Sequence, residues 1–258
     1  VHAAVNRVQP YDVVAAAADQ LRAAGIDRFS ADLLYGLPKQ TAETVARAVE
    51  MTAELEPDRV SLFGYAHVPW MRPHQKLIHE ADLPGPEDRL NMFRTAERAL
   101  AANGFVAVGL DHFARREDAL AVAARTGTLH RNFQGYTTDT ADALIGFGAS
   151  AIGTLPQGYA QNAPTVPGYR KAIAAGELAT VRGVALKDDD RLRRAVIERL
   201  MCDFRVDLDE LGGLFGADRE DFADALLALA PLADDGLVEV NAGRIEVLPE
   251  ARIEVRSV

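Results

Sequence analysis

Residues 29–38, FSADLLYGLP, decide how this chain folds. From Phe29 to Tyr35 the run is almost continuously apolar, and it ends at the breaker residues Gly36 and Pro38. An apolar run of this length between turn residues indicates a buried strand. Asp32 is the only charged residue inside the strand. Its carboxylate is either a structural group that a neighbouring loop satisfies or an acceptor for hydroxyl or ammonium groups of a ligand.

Helical and strand patterns alternate on both sides of this run. A helix before it opens near Asp12 and closes at Gly25, and the capping residue Thr41 begins another that ends before Pro57. A strand at 59–65, a helix at 87–102 and a strand at 105–110 follow. Such alternation indicates parallel β/α units. Three strands cannot close a barrel, so we expect the later part of an α/β barrel whose first strands precede Val1.

The pattern changes twice farther along the chain. Residues 111–187 are rich in glycine and predict loops and short helices, and a stretch of this kind is usually functional. Beyond it, a helix around Leu192–Met201, helices at 208–215 and 219–232, and a hairpin pairing 237–240 with 244–248 indicate a winged-helix-like α+β domain. We therefore predict three regions: 1–115 as β/α units, 116–186 as an irregular substrate-side region, and 187–258 as the winged-helix-like domain.

Charge and composition exclude several classes of protein. Winged helices often bind DNA, but residues 187–258 hold 10 Lys and Arg against 18 Asp and Glu, a net charge of −8. That surface would repel phosphates, so we predict no nucleic-acid partner. The chain has no apolar run of the roughly 18–20 residues that a membrane span needs, and its first residues do not predict a signal peptide. Its one cysteine, Cys202, excludes a disulfide framework and indicates the cytoplasm.

Polar residues follow the predicted strands, where β/α barrels place their active sites. Tyr65-Ala66-His67 ends the second strand and Asp111-His112-Phe113 ends the third. The run His130–Thr138, HRNFQGYTT, contains two aromatic rings and no acidic residue. It is either an ordinary surface loop or a surface for an anionic ligand with an apolar body. Arg7 taken alone reads as a solvated surface charge, and Cys202 as a small packing residue.

Several of these runs together resemble one family. They are "AVNRVQ" (4–9), "ADLLYGLPKQT" (31–41), "YAHVP" (65–69), "GLDHFAR" (109–115), "HRNFQGYTT" (130–138), "GFGASAI" (146–152) and "YAQN" (159–162). They are similar to the oxygen-independent coproporphyrinogen III oxidases of the radical S-adenosylmethionine superfamily, over essentially the whole chain. "ADLLYGLP" is shared with the heme-chaperone branch, whereas "DHFAR" followed by "HRNFQGYTT" is typical of the oxidases.

The resemblance implies a partial (β/α)6 radical S-adenosylmethionine barrel, a [4Fe-4S] cluster on a CxxxCxxC loop and two S-adenosylmethionine molecules. It implies the conversion of coproporphyrinogen III to protoporphyrinogen IX in heme synthesis, with an electron donor protein as partner. Matched to the family's motifs, Arg7, Asp32, Ala66 and Ile152 are the expected S-adenosylmethionine contacts. His130, Arg131, Gln134 and Tyr136 are the candidate substrate contacts, with Arg131 facing a propionate.

The chain also departs from the family's pattern. It lacks the cluster cysteines, so we expect no metal site here, and the family's ligands would lie upstream of Val1. We expect a cytoplasmic monomer that is a fragment and is inactive by itself. A heme-binding chaperone of the same superfamily is the alternative, and a winged-helix regulator fused to a barrel remnant is a third reading.

Overall fold

The structure, a computed structural model, describes residues 1–258 except for the side chains of residues 256 and 257. Contacts divide the chain into two units, residues 1–126 and residues 127–258. The predicted division into 1–115, 116–186 and 187–258 stays a prediction. Within the described residues, every helix falls short of the length and apolarity that a membrane span requires.

The first unit is a four-stranded sheet with four α-helices. Its helices are α1 (Tyr11–Ala23), α2 (Ala42–Glu54), α3 (Pro86–Ala102) and α4 (Ala119–Thr126), and its strands are β1 (Ser30–Tyr35), β2 (Arg59–Gly64), β3 (Phe105–Val108) and β4 (His112–Arg115). Two short 3-10 turns, Pro73–Leu77 and Glu80–Asp82, precede α3. The strand order is β1-β2-β4-β3.

Strand β1 is present as predicted and pairs in parallel with β2, but it lies at the edge of the sheet and none of its residues is buried, so the expectation of a buried strand is wrong. Thr41 caps α2 by accepting a hydrogen bond from the Thr44 backbone N–H, as the sequence predicts. The face that carries Val60 and Leu62 is fully buried, and Tyr35 on the same face packs against Phe93 of α3. Side chains alternate along a strand, so Asp32 lies on the opposite face, where it is exposed.

The third predicted strand is present, but its pairing differs from the prediction. We expected three parallel strands, with Asp111-His112-Phe113 at the end of the third. Instead the chain reverses at Gly109, whose φ is 60°, and returns as β4. This strand inserts between β2 and β3 and pairs antiparallel with both. The short turn makes a hairpin, since a parallel connection needs a crossover of a dozen or more residues.

A buried ion pair ties β2 to the start of α4. The Asp118 side chain is 3% exposed, and its two oxygens accept hydrogen bonds from Arg59 Nε at 3.1 and 3.0 Å. Asp118 Oδ1 also accepts from the Leu120 backbone N–H at 2.8 Å, which satisfies a donor in the first turn of α4. The Arg59 side chain is 37% exposed, so the carboxylate is the more deeply buried partner.

The second unit contains three small sheets and five α-helices. The strands are β5 (His130–Asn132), β6 (Gly135–Thr137), β7 (Ile152–Leu155), β8 (Gly158–Asn162), β9 (Thr180–Ala185), β10 (Arg205–Asp207), β11 (Val238–Asn241) and β12 (Arg244–Val247). The helices are α5 (Val166–Ala174), α6 (Asp188–Asp203), α7 (Leu208–Phe215), α8 (Ala223–Ala228) and α9 (Ala230–Asp234), with 3-10 turns at Arg219–Phe222 and Pro249–Ser257.

The prediction of loops and short helices for 111–187 is therefore wrong. That stretch contains β4, the hairpin β5–β6 and the antiparallel sheet β7-β8-β9 in addition to two helices. Most of these strands have three to five residues, too few for a period of two to stand out from the glycines between them.

Near the end of the chain the predicted hairpin is present as β11 and β12. Strand β10, which the sequence did not indicate, pairs with β12 to complete a sheet in the order β10-β12-β11. The single helix expected at 219–232 is broken into a 3-10 turn, α8 and α9. Pro231, in the first turn of α9, has no N–H with which to continue α8.

Candidate functional site

A cavity of about 430 Å³ lies within the second unit. Small-molecule sites commonly occupy ~300–1,000 Å³. It is bounded by the β5–β6 hairpin, the loop 139–144, the sheet strands β7 and β8, and α6. Its walls combine apolar and aromatic residues with polar ones, and three of these elements contribute ionisable side chains: His130, Arg131, Asp139, Asp142, Arg194 and Glu198.

The predicted substrate residues His130 and Arg131 line this cavity, and α6 holds both. His130 Nδ1 lies 2.9 Å from Glu198 Oε1. The Arg131 backbone N–H donates to the same oxygen at 3.4 Å. Arg199, the next residue on the helix, donates to the Leu129 carbonyl at 3.0 Å. These bonds join residues about 70 positions apart and fix the start of the hairpin against α6.

Arg131 has a buried side-chain nitrogen that lacks a hydrogen-bond partner in the described part of the chain. Its Nε is buried and has no hydrogen-bond partner among the described residues. Its Cζ lies 5.6 Å from the centroid of the Tyr136 ring, a cation–π distance. A buried guanidinium nitrogen without an acceptor is costly, which favours a site that an anionic ligand completes.

The other two predicted substrate residues lie outside the cavity lining. Tyr136 is buried, and its hydroxyl donates to the Met201 carbonyl at 3.0 Å. Gln134 is exposed in the hairpin turn. Two aromatic residues that the prediction omitted do line the cavity: Phe133 and Tyr159 pack edge to face with their centroids 5.1 Å apart. Phe133 belongs to the run HRNFQGYTT (130–138), so the sequence could have indicated this ring as a ligand contact.

A second group of polar residues lies on the sheet face opposite Val60 and Leu62, where Ser61 is buried and Asp32 is exposed. Asp32 pairs in register with Ser61, and Ser61 with His112, so the three stand in a row across β1, β2 and β4. His112 Nδ1 is 2.7 Å from Asp111 Oδ1, and its ring meets Phe63 edge to face. No described group forms a hydrogen bond or ion pair with the Asp32 carboxylate, so the structural explanation for this residue gains no support.

The remaining predicted S-adenosylmethionine contacts are divided between the units. Arg7 is exposed after the turn at 1–6, and Ala66 is exposed just beyond β2. The Ala66 carbonyl accepts a hydrogen bond from Gln75 Nε2 at 3.1 Å. Ile152 begins β7 in the second unit, opposite Gln161 of β8.

The number and position of cysteines in this chain do not fit an iron–sulfur cluster. Cys202 is the one cysteine and is buried on α6. In the part of the chain that the structure describes, no three His, Cys, Asp or Glu side chains gather to hold a metal ion. Burial raises the pKa of the Cys202 thiol to about 12, an effect that Arg199 only partly opposes. A protonated, buried thiol is an inert packing group.

We expect Cys202 to resist alkylation. At about pH 8 iodoacetamide should leave it unmodified in the folded chain and label it once denaturant exposes it, because the thiolate is the reactive form. Mass spectrometry of the intact chain measures both rates. Equal labelling of the native and denatured chains would contradict the buried position.

Comparisons with known proteins give one consistent answer. Residues 186–253 match the family described as the HemN C-terminal domain. The oxygen-independent coproporphyrinogen III oxidase of Bradyrhizobium diazoefficiens is 46% identical over 258 residues, which is 100% of this chain and 57% of that protein. The Escherichia coli oxidase of the same name is 43% identical over 257 residues, covering 98% of this chain and 56% of its own length.

A solved structure agrees. The chain described as "Coproporphyrinogen III oxidase (HemN) from Escherichia coli is a Radical SAM enzyme" matches with a TM-score of 0.91 and 42% identity, over 99% of this chain and 59% of that one. The chain thus spans less than three fifths of the relatives it matches. Over nearly all of its length, the chain is therefore similar at more than 40% identity to over half of each of these oxygen-independent coproporphyrinogen III oxidases.

Proposed function

We propose that this protein takes part in the oxygen-independent oxidative decarboxylation of coproporphyrinogen III to protoporphyrinogen IX, a step of heme biosynthesis. In each of two rounds, a hydrogen atom leaves the β-carbon of a propionate, the carboxylate departs as CO2, one electron passes to an acceptor, and a vinyl group remains. The observation that carries the proposal is the cavity lined by Arg131, in a chain whose relatives are named for this reaction.

The cavity suits the substrate's chemistry. A propionate carboxylate in the cavity would form a charge-assisted hydrogen bond with the Arg131 guanidinium, which has no acidic partner among the described side chains. The Phe133 and Tyr159 rings offer an apolar surface for the pyrrole that carries it, and they displace water from the ion pair. Glu198 supports carboxylate binding indirectly, since its side chain holds His130 and the Arg131 backbone in place.

S-adenosylmethionine, when bound with a reduced cluster, supplies the radical that abstracts the hydrogen atom. In this chain Arg7 would bind its methionine carboxylate, and the unpaired Asp32 carboxylate would accept from an amine or ribose hydroxyl. Ala66 and Ile152 would contact the adenosyl part through backbone and apolar atoms. We assign no cluster ligand to this chain, because Cys202 is buried and protonated.

The finer architecture is part of the same proposal. The first unit would belong to a partial (β/α)6 barrel, and α6–α9 with β10–β12 would form a winged-helix-like domain. The partners would be coproporphyrinogen III and an electron donor protein, and the enzyme would be a cytoplasmic monomer.

A turnover assay tests the function. A full-length enzyme that carries this sequence, reduced and free of oxygen, should convert coproporphyrinogen III to protoporphyrinogen IX only when S-adenosylmethionine is added. Chromatography of the oxidised porphyrins measures the product. Stoichiometric heme binding without any decarboxylation would contradict the proposal and support the heme-chaperone alternative.

A further inference from the structure

The four arginines of α6 differ in whether they form an ion pair. Three are paired with acidic residues: Arg191 with Asp188 at 2.6 Å, Arg193 with Asp189 at 2.8 Å and Arg199 with Asp203 at 2.7 Å. Arg194 has no acidic partner within 4.0 Å among the described side chains. It is also the only one of the four that lines the cavity.

Arg194 is unpaired although its spacing from Asp190 favours an ion pair between successive turns of the helix. Asp190 Oδ2 instead accepts a hydrogen bond from the Lys187 backbone N–H at 2.9 Å as part of the helix cap. The Arg194 guanidinium instead lies over the Tyr159 ring, with its Cζ 5.8 Å from the centroid. Arg194 is thus an exposed arginine that lines the cavity and has no acidic partner among the described side chains.

The cavity wall also holds three carboxylates, those of Asp139, Asp142 and Glu198. Glu198 is bonded to His130 and to the Arg131 N–H. Asp139 Oδ1 accepts from the Ala141 backbone N–H at 2.9 Å. The third carboxylate, Asp142, is on the exposed loop, where water solvates it. Arg131 and Arg194 both line the cavity, and neither guanidinium has an acidic partner within 4.0 Å among the described side chains.

We infer that Arg194 is a second binding residue for a substrate carboxylate, and that it acts with Arg131 across the ring pair of Phe133 and Tyr159. The ligand class is a flat or puckered apolar ring that bears a carboxylate side chain. This inference rests on the proposed function, in which that side chain is a propionate of coproporphyrinogen III. It adds a residue that the sequence motifs do not indicate.

Binding of a fluorescent analogue tests the inference without turnover. Coproporphyrin III is titrated into the full-length enzyme carrying this sequence and into its Arg194→Ala and Arg194→Lys variants. We expect about 10-fold weaker binding for Arg194→Ala, since a hydrogen bond to a charged group is lost, and a smaller loss for Arg194→Lys. The tetramethyl ester of coproporphyrin III should bind the wild type and Arg194→Ala equally.

Arg193→Ala is the matched control. It removes the same charge one residue away, from an arginine that is paired with Asp189 outside the cavity lining. Its affinity for coproporphyrin III should equal that of the wild type. Equal affinities of Arg194→Ala and Arg193→Ala, or a wild type that does not bind coproporphyrin III, would overturn the inference. Neither result alters the turnover assay, which decides the proposed function separately.

Discussion

Arg131→Ala, in a full-length enzyme that carries this sequence, is expected to raise the KM for coproporphyrinogen III by about 30-fold or more. Removing one partner of a desolvated charge pair costs about 2–5 kcal/mol, and every 1.4 kcal/mol is a factor of about ten. The Arg131 Nε is buried and has no other described acceptor, so the substrate carboxylate would lose its most desolvated donor. Steady-state kinetics at saturating S-adenosylmethionine measure the change.

The control for this variant is Arg170→Ala. Arg170 is an exposed arginine of α5 in the same unit, so its replacement removes the same charge without touching the cavity. Arg131→Lys should lie between the wild type and Arg131→Ala, because lysine keeps the charge but not the fork of donors. If KM and turnover of Arg131→Ala matched those of Arg170→Ala, the assignment of Arg131 to a propionate would be wrong.

Asp118→Ala should lower the free energy of unfolding by about 2–4 kcal/mol. Breaking a fully buried ion pair costs about 3–5 kcal/mol, and the value here is reduced because Arg59 reaches water. The substitution also leaves the Leu120 N–H without its acceptor at the start of α4. Urea unfolding followed by far-ultraviolet circular dichroism measures the difference.

A surface carboxylate supplies the comparison for Asp118. Asp19 is 79% exposed on α1 and lies 4.0 Å from Arg22, so Asp19→Ala should change the stability by less than about 0.5 kcal/mol. Similar urea midpoints for Asp118→Ala and Asp19→Ala would mean that the Arg59–Asp118 pair contributes nothing to the fold.

The sequence predicts best those elements whose signals are local and long. The apolar run up to Tyr35 and the cap at Thr41 fixed β1 and the start of α2 within a residue or two. Strand β4 was missed because His112–Arg115 alternates too briefly to be distinguished from a loop, and because its partner was assumed to be parallel. Three-residue strands such as β5 carry even less pattern.

Prediction of the candidate site from the sequence is limited for a different reason. The motif around His130 and Arg131 could be read from the sequence, and the structure places both residues at a cavity. Their anchor, Glu198, is 68 positions from His130, and local periodicity carries no information on such a contact. For Arg194 the local pattern was misleading: its spacing from Asp190 indicates an ordinary surface ion pair, whereas in the structure its guanidinium lies over the Tyr159 ring.

The unpaired edge of β1 makes hydrogen exchange along this strand informative about the first unit's sheet. No described strand pairs with β1 on the side away from β2. Every second amide of Ser30–Tyr35 therefore points away from β2 and should exchange its hydrogen for deuterium faster than the amides bonded to β2. Deuterium uptake along this one strand thus reports, residue by residue, whether another strand has added to the sheet.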